Sequence, residues 1–160
     1  EFGDVFLRAP VAPAEFIARL NAVLPPGLTV LRAALTSERT APVMAVVNAA
    51  EYRVQLEGNT ITADNIQELL ASEELFVLRS TKKGERTVDV RPLIFSIELR
   101  GGELVFRCAL GPEGNLRPDE LLGLLGLDIR DVLVERTGLF VRGDGAWCGP
   151  MDGIEGAHGN

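Results

Sequence analysis

The chain has 160 residues, 46% hydrophobic and 24% charged, with 23 acids against 16 bases for a net charge of −7. That is the length of one ordinary soluble domain, able to bury roughly 70% of its unfolded surface. No run of 18 apolar residues is present, two cysteines are too few for a disulfide framework or a cysteine-ligated cluster, and the single histidine, His158, all but excludes a histidine metal site.

Residues 4–9 alternate Val5 and Leu7 with polar neighbours, which predicts a strand ended by Pro10. Pro13 suits a first helical turn, and Phe16, Ile17, Leu20, Val23 and Leu24 recur at helical spacing up to Pro25-Pro26-Gly27. Residues 28–36 read as a second strand, so the chain opens with an expected strand–helix–strand unit. Pro42 favours a helical turn over 42–49. Residues 50–57 alternate cleanly, with Tyr52, Val54 and Leu56 on one side and Glu51, Arg53 and Gln55 on the other. Gly58-Asn59 reads as a turn, Thr62 as an N-cap, and Ile66, Leu69 and Leu70 as a buried helical stripe. A strand over 75–81 completes a second such unit.

Residues 86–91 and 94–100 are strand-like around Pro92, and Gly101-Gly102 turns the chain into a strand over 103–110. Leu104, Phe106, Cys108 and Leu110 share its inner face, which makes Cys108 a small core residue. Pro118 opens a helix with Asp119 and Glu120 in its first turn, where acids suit the dipole, and Gly126 ends it. A last strand over 131–142 is interrupted by Gly138, a candidate bulge. Residues 143–160 hold six glycines and are expected to form a mobile tail anchored by Trp147. The predicted architecture is therefore α+β: a largely antiparallel sheet with helices on one face, in one domain over 1–142.

The negative average conceals a local excess. From Arg79 to Arg91, five bases (Arg79, Lys82, Lys83, Arg86, Arg91) face two acids (Glu85, Asp89), a charge of +3, while eleven bases and 21 acids leave −10 elsewhere. Lys82-Lys83-Gly84 is either a solvated hairpin tip or a phosphate-seeking finger. Asp89 and Arg91 lie two apart on one strand face, either as a structural salt bridge or with Arg91 as an anion clamp. Arg117 stands just before a helix, where arginine gains nothing from the dipole but could serve an anion at the helix start. The paired acids Glu73-Glu74 and Asp119-Glu120 are better explained by solvation and helix electrostatics than by acid–base work. No catalytic set, metal site or cofactor motif is recognisable.

The segments RSTKKGERTVDVRPLI (79–94), LGPEGNLRPDELLGLLGL (110–127) and VERTGLF (134–140), with LNAVLPPGLTVLRA and VNAAEYRVQL before them, resemble a bacterial radical-SAM-linked protein family of unknown function. The resemblance implies a domain fused to, or encoded beside, a radical-SAM protein, usually preceded by a further N-terminal segment. The start at Glu1 and the absence of a signal peptide agree with a piece of a longer cytoplasmic protein. The chain lacks the three closely spaced cysteines of the radical-SAM cluster, so such chemistry would belong to the partner. A fainter similarity joins residues 20–56 to tRNA pseudouridine synthases and implies a base contact by Tyr52. Their Arg-Thr-Asp-x-Gly loop is absent, since Arg136-Thr137-Gly138 carries no aspartate.

The expectation that follows is an accessory domain that binds RNA or another phosphate-bearing substrate. Lys82, Lys83, Arg86, Arg91 and Arg117 would make the anion contacts, with Tyr52 on a base and Asp89 and Arg136 in support. A protein–protein adaptor for the radical-SAM partner is the alternative; an enzyme whose site needs an upstream segment is a third.

Overall fold

The computed structural model describes all of residues 1–160 except 57, 59, 60, 83, 144 and 156–160. Among the described residues it has seven strands and five short α-helices. Strands β1 (Ala49–Gln55), β4 (Ile94–Arg100), β5 (Glu103–Ala109), β6 (Leu133–Gly143) and β7 (Ala146–Cys148) form one sheet in the order β4-β5-β1-β6-β7. Every pairing in it is antiparallel. Strands β2 (Phe76–Thr81) and β3 (Gly84–Asp89) form a separate hairpin.

The alternation seen in the sequence fixes which way this sheet faces. Ala50, Tyr52 and Val54 of β1 and Leu104, Phe106 and Cys108 of β5 are buried, and Tyr52 stacks on Phe106, its direct cross-strand partner, with ring centroids 5.2 Å apart. The hairpin β4–β5 turns on Gly101 and Gly102 at φ +58° and +88°, the left-handed pair a two-residue turn demands. Two irregularities curl the sheet: the register slips opposite Ile94/Ser96 in β4, and between Glu51 and Tyr52 where Thr137 is the extra residue of β6. The bulge expected at Gly138 is thus one residue earlier.

Helices cover the inner face. Val43 and Val47 from and after α2 (Val43–Val46), Ile66 and Leu69 of α3 (Ala63–Ala71), and Leu121 and Leu122 of α4 (Pro118–Leu124) join the inward strand residues in one core. Helix α3 starts as read: the Thr62 hydroxyl accepts the Asn65 N–H and the Asn65 amide oxygen accepts the Thr62 N–H. Pro118 is the first residue of α4, and Gly126 at φ +76° ends its last turn.

Three expectations are corrected. The stretches 4–9 and 28–36 form no strand, so the opening strand–helix–strand unit does not assemble. Alternation specifies which side chains would face a core, but a strand also needs a neighbour for its N–H and C=O groups, and these stretches lack one. Helix α1 (Pro13–Asn21) has no buried residue, Phe6 and Leu31 are 88% and 83% exposed, and of the first forty residues Phe2 alone packs on the core. Second, β1–α3–β2 keeps its element order, but β2 leaves the main sheet and pairs with β3. Third, the strand expected over 86–91 stops at Asp89, and Pro92 lies in a 3-10 turn, Arg91–Leu93.

Past residue 142 the chain adds β7 to β6, followed by α5 (Asp152–Glu155). Trp147 stands edge-on to Phe95 and Phe140, at 5.5 and 5.7 Å. It is the anchor its size suggests, within a paired strand that its glycine-rich surroundings did not announce.

Candidate functional site

The sequence-derived basic residues go to different work. Lys82 is exposed at the tip of the β2–β3 hairpin, and Lys83 lies outside the described residues. Arg86 is exposed on β3 directly opposite Arg79 of β2. Neither Lys82 nor Arg86 forms an ion pair among the described residues. Arg91 faces the fold instead: its Nε donates to the Ser72 carbonyl at 3.1 Å and Nη2 to the Leu70 carbonyl at 2.8 Å, closing the C-terminal end of α3. The Asp89–Arg91 salt bridge does not form. The Asp89 carboxylate accepts the Leu75 N–H at 2.8 Å and the Arg91 N–H at 3.0 Å, so it holds the base of the hairpin through backbone donors.

Arg79 and Arg117 meet at the junction of the hairpin with α4, and Arg86 lies opposite Arg79 within the hairpin. Glu120, only 8% exposed, is the pivot. Arg79 grips its carboxylate in two-pronged fashion, Nε to Oε1 and Nη2 to Oε2, both at 2.7 Å. Arg79 Nη2 also donates to the Asn115 carbonyl. Arg117 donates to Glu120 twice, from Nη2 to Oε1 at 2.9 Å and from its backbone N–H to Oε2 at 3.0 Å, and its Nε lies 3.8 Å from Asp119. Glu120 therefore caps α4 from inside, and the arginine that looked misplaced before the helix is held by that same carboxylate. Burial pushes the Glu120 carboxyl up, but the hydrogen bonds from Arg79 and Arg117 outweigh it and keep the group below its ordinary range. Arg79 is correspondingly raised by its hydrogen bonds to Glu120. The reading of Glu120 as a solvated first-turn acid is corrected: it is a buried ionic tie, and the residue that makes it so is 41 positions away, beyond any local spacing rule.

Tyr52 lies on the core side of β1, 8% exposed. Desolvation raises its phenol, partly opposed by a hydrogen bond with Arg136. Arg136 also binds Glu1, with Nε at 3.0 Å from the carboxylate. The two residues form a local pair on the inner side of the sheet, remote in role from the hairpin bases.

The outward face of the sheet carries an arrangement with no sequence signature. Arg107 pairs with Glu51 at 2.8 Å, and its guanidinium lies 5.3 Å from the Phe140 ring and 5.1 Å from Trp147. Arg142 lies 4.5 Å from the Phe95 ring and 5.8 Å from Trp147. The Asn48 side-chain amide bonds the Arg142 main chain in both directions, at 2.7 and 2.8 Å. Only the proximity of β1, β4, β5, β6 and β7 brings these residues together. Among the described residues, no group of three His, Cys, Asp or Glu could hold a metal ion, and no helix is long and apolar enough to cross a membrane.

The architecture thus defines an α+β domain with one face under helices, the other open, and a basic hairpin standing beside it. Residues 1–118 match the model of a family described as an uncharacterized protein conserved in bacteria (DUF2344), and the chain belongs to that family. No curated protein and no solved structure matches it.

Proposed function

We propose that the domain is an accessory module that binds RNA, or another phosphate-bearing substrate, along the β2–β3 hairpin and the start of α4, and presents it to a radical-SAM partner. The partner comes from the family resemblance of segments 79–94, 110–127 and 134–140. The observation that carries the binding reading is the meeting of Arg79 and Arg117 on the single carboxylate of Glu120, with Arg86 opposite Arg79 in the same hairpin and Lys82 at its tip. Guanidinium groups held by a buried carboxylate keep unused N–H donors in fixed positions, which suits them to phosphate oxygens. The −10 carried outside residues 79–91 directs a polyanion towards the hairpin. Arg91, with its donors on the chain's own carbonyls, drops out of the contact set, and Tyr52 supports the fold of β1.

Fluorescence anisotropy with a structured RNA hairpin tests the reading. Affinity should fall steeply between 50 and 200 mM salt, on the order of tenfold or more for several phosphate contacts. A Lys82→Glu, Arg86→Glu double variant should abolish binding without lowering the melting temperature. Equal binding by this variant, or none by the wild-type chain at low salt, would refute the proposal.

A protein–protein adaptor is the second reading. It is favoured by Phe76 and Leu78, 56% and 63% exposed on the outward face of the same hairpin. Capture of the radical-SAM partner that survives nuclease treatment and is lost in a Phe76→Ser, Leu78→Ser variant would select it.

A further inference from the structure

We propose that the groove at the α2 end of the sheet is a separate binding site for a small amphiphilic oxyanion, a carboxylate or phosphate monoester carried on an aliphatic body. The groove encloses about 380 Å³ between α2, the start of β4, the loop after β5 and Arg142, the size of a small-molecule site. Three features give it this chemistry. Arg142 has no carboxylate partner among the described residues. Its guanidinium is instead held against the Phe95 ring, and its main chain is fixed by the Asn48 amide, so its donors are positioned and meet no acceptor among the described residues. Across the groove, the loop 111–114 is tied at both ends, Leu110 N–H to the Asn48 carbonyl and Leu116 N–H to the Ala109 carbonyl. Between those ties the N–H groups of Gly111, Glu113 and Gly114 donate to no described residue.

The third feature is the tightness of that loop. Gly111 sits at φ +142°, and a Cβ there would lie 3.2 Å from the Val47 carbonyl oxygen; one on Gly114 would lie 2.6 Å from Leu93 Cδ2. The glycines let the backbone press against the groove wall with no side chain between. Val46, Leu93 and Leu110 supply an aliphatic wall for the body of the ligand. The carboxylate among the lining residues, Glu113, opposes an anion, so its removal should tighten binding.

The site is independent of the hairpin bases, and its test uses hexanoate and hexyl phosphate as probes, with acetate and inorganic phosphate as head-only controls. Titrated into the full chain and followed by amide chemical shifts, one of the six-carbon probes should bind saturably and perturb Gly111, Glu113 and Gly114. Whichever binds tighter distinguishes carboxylate from phosphate. Arg142→Met should weaken it about tenfold, the equivalent of one charge-assisted hydrogen bond. Val46→Trp should weaken it by filling the groove, and Glu113→Gln should strengthen it. The proposal fails if neither probe saturates at millimolar concentration, if acetate or inorganic phosphate binds as well as its six-carbon counterpart, or if the shifts map elsewhere. The last readout needs no variant and decides the matter even where Arg142→Met does not fold.

Discussion

Glu120 shows how one buried charge organises its surroundings. Removing a partner from a buried ion pair costs several kcal/mol because the other charges are left without compensation. Arg79 and Arg117 retain access to water, so Glu120→Ala should destabilise the fold by about 3 kcal/mol, the lower end of that range. Equilibrium denaturation by urea measures it. Its titration has a definite sign. A carboxyl held below its unfolded value stabilises the fold above the unfolded pKa, ~4.3 for Glu, and that contribution disappears as pH falls through the folded value. Glu51 follows the same rule: burial raises it, but hydrogen bonds from Arg107 and Thr137 prevail. Stability should therefore change little between about pH 7 and 5 on their account and fall below about pH 4.3. In Glu120→Gln the acid-side loss should be smaller; an unchanged pH profile would contradict the assignment. Cys108 offers a second check at this scale. Burial pushes its thiol up to about 12, whereas Cys148 is exposed. A thiol reagent at neutral pH should titrate one cysteine in the native protein and two in denaturant.

At the level of elements, legibility depended on whether the determining contacts were local. The N-cap at Thr62, Pro118 at the head of α4, the Gly101-Gly102 turn and the inward set of β1 and β5 are all written within a few residues of where they act. Thr62→Ala should accordingly cost about 1 kcal/mol, as loss of an N-cap does, measured by thermal melting. The departure of β2 from the main sheet was not legible, because strand pairing is chosen between segments and a period-two pattern fits any neighbour equally. The same holds for the site. Lys82 and Arg86 were visible as a charge excess, but the bond between Arg79 and Glu120 and the stacking of Arg142 on Phe95 depend on which elements the fold sets side by side. Proximity in sequence misled at Asp89 and Arg91, where each side chain found backbone partners better placed than the other.

Across the whole molecule, the first forty residues and the remainder are unequally bound. The early segment is attached through Phe2, through the Asp4 carboxylate that accepts the Val43 N–H at 2.8 Å, and through the ion pair of Glu1 with Arg136. Limited trypsin digestion should therefore cut after Arg39, in the exposed turn over 37–40, and leave a protected fragment that keeps its sheet spectrum. Degradation in a single concerted step would instead mean that the core depends on the early segment.

Strand β4 closes one side of the five-stranded sheet, and its last residues carry the Glu98–Arg100 ion pair at 2.6 Å. A second molecule adding its own strand there would have to strip water from both charges before gaining a single main-chain bond, so the pair acts as a guard against runaway self-assembly. Replacing both residues with valine would leave a smooth, sticky border, and concentrated solutions of that variant should form fibrils that bind thioflavin while the natural chain stays clear.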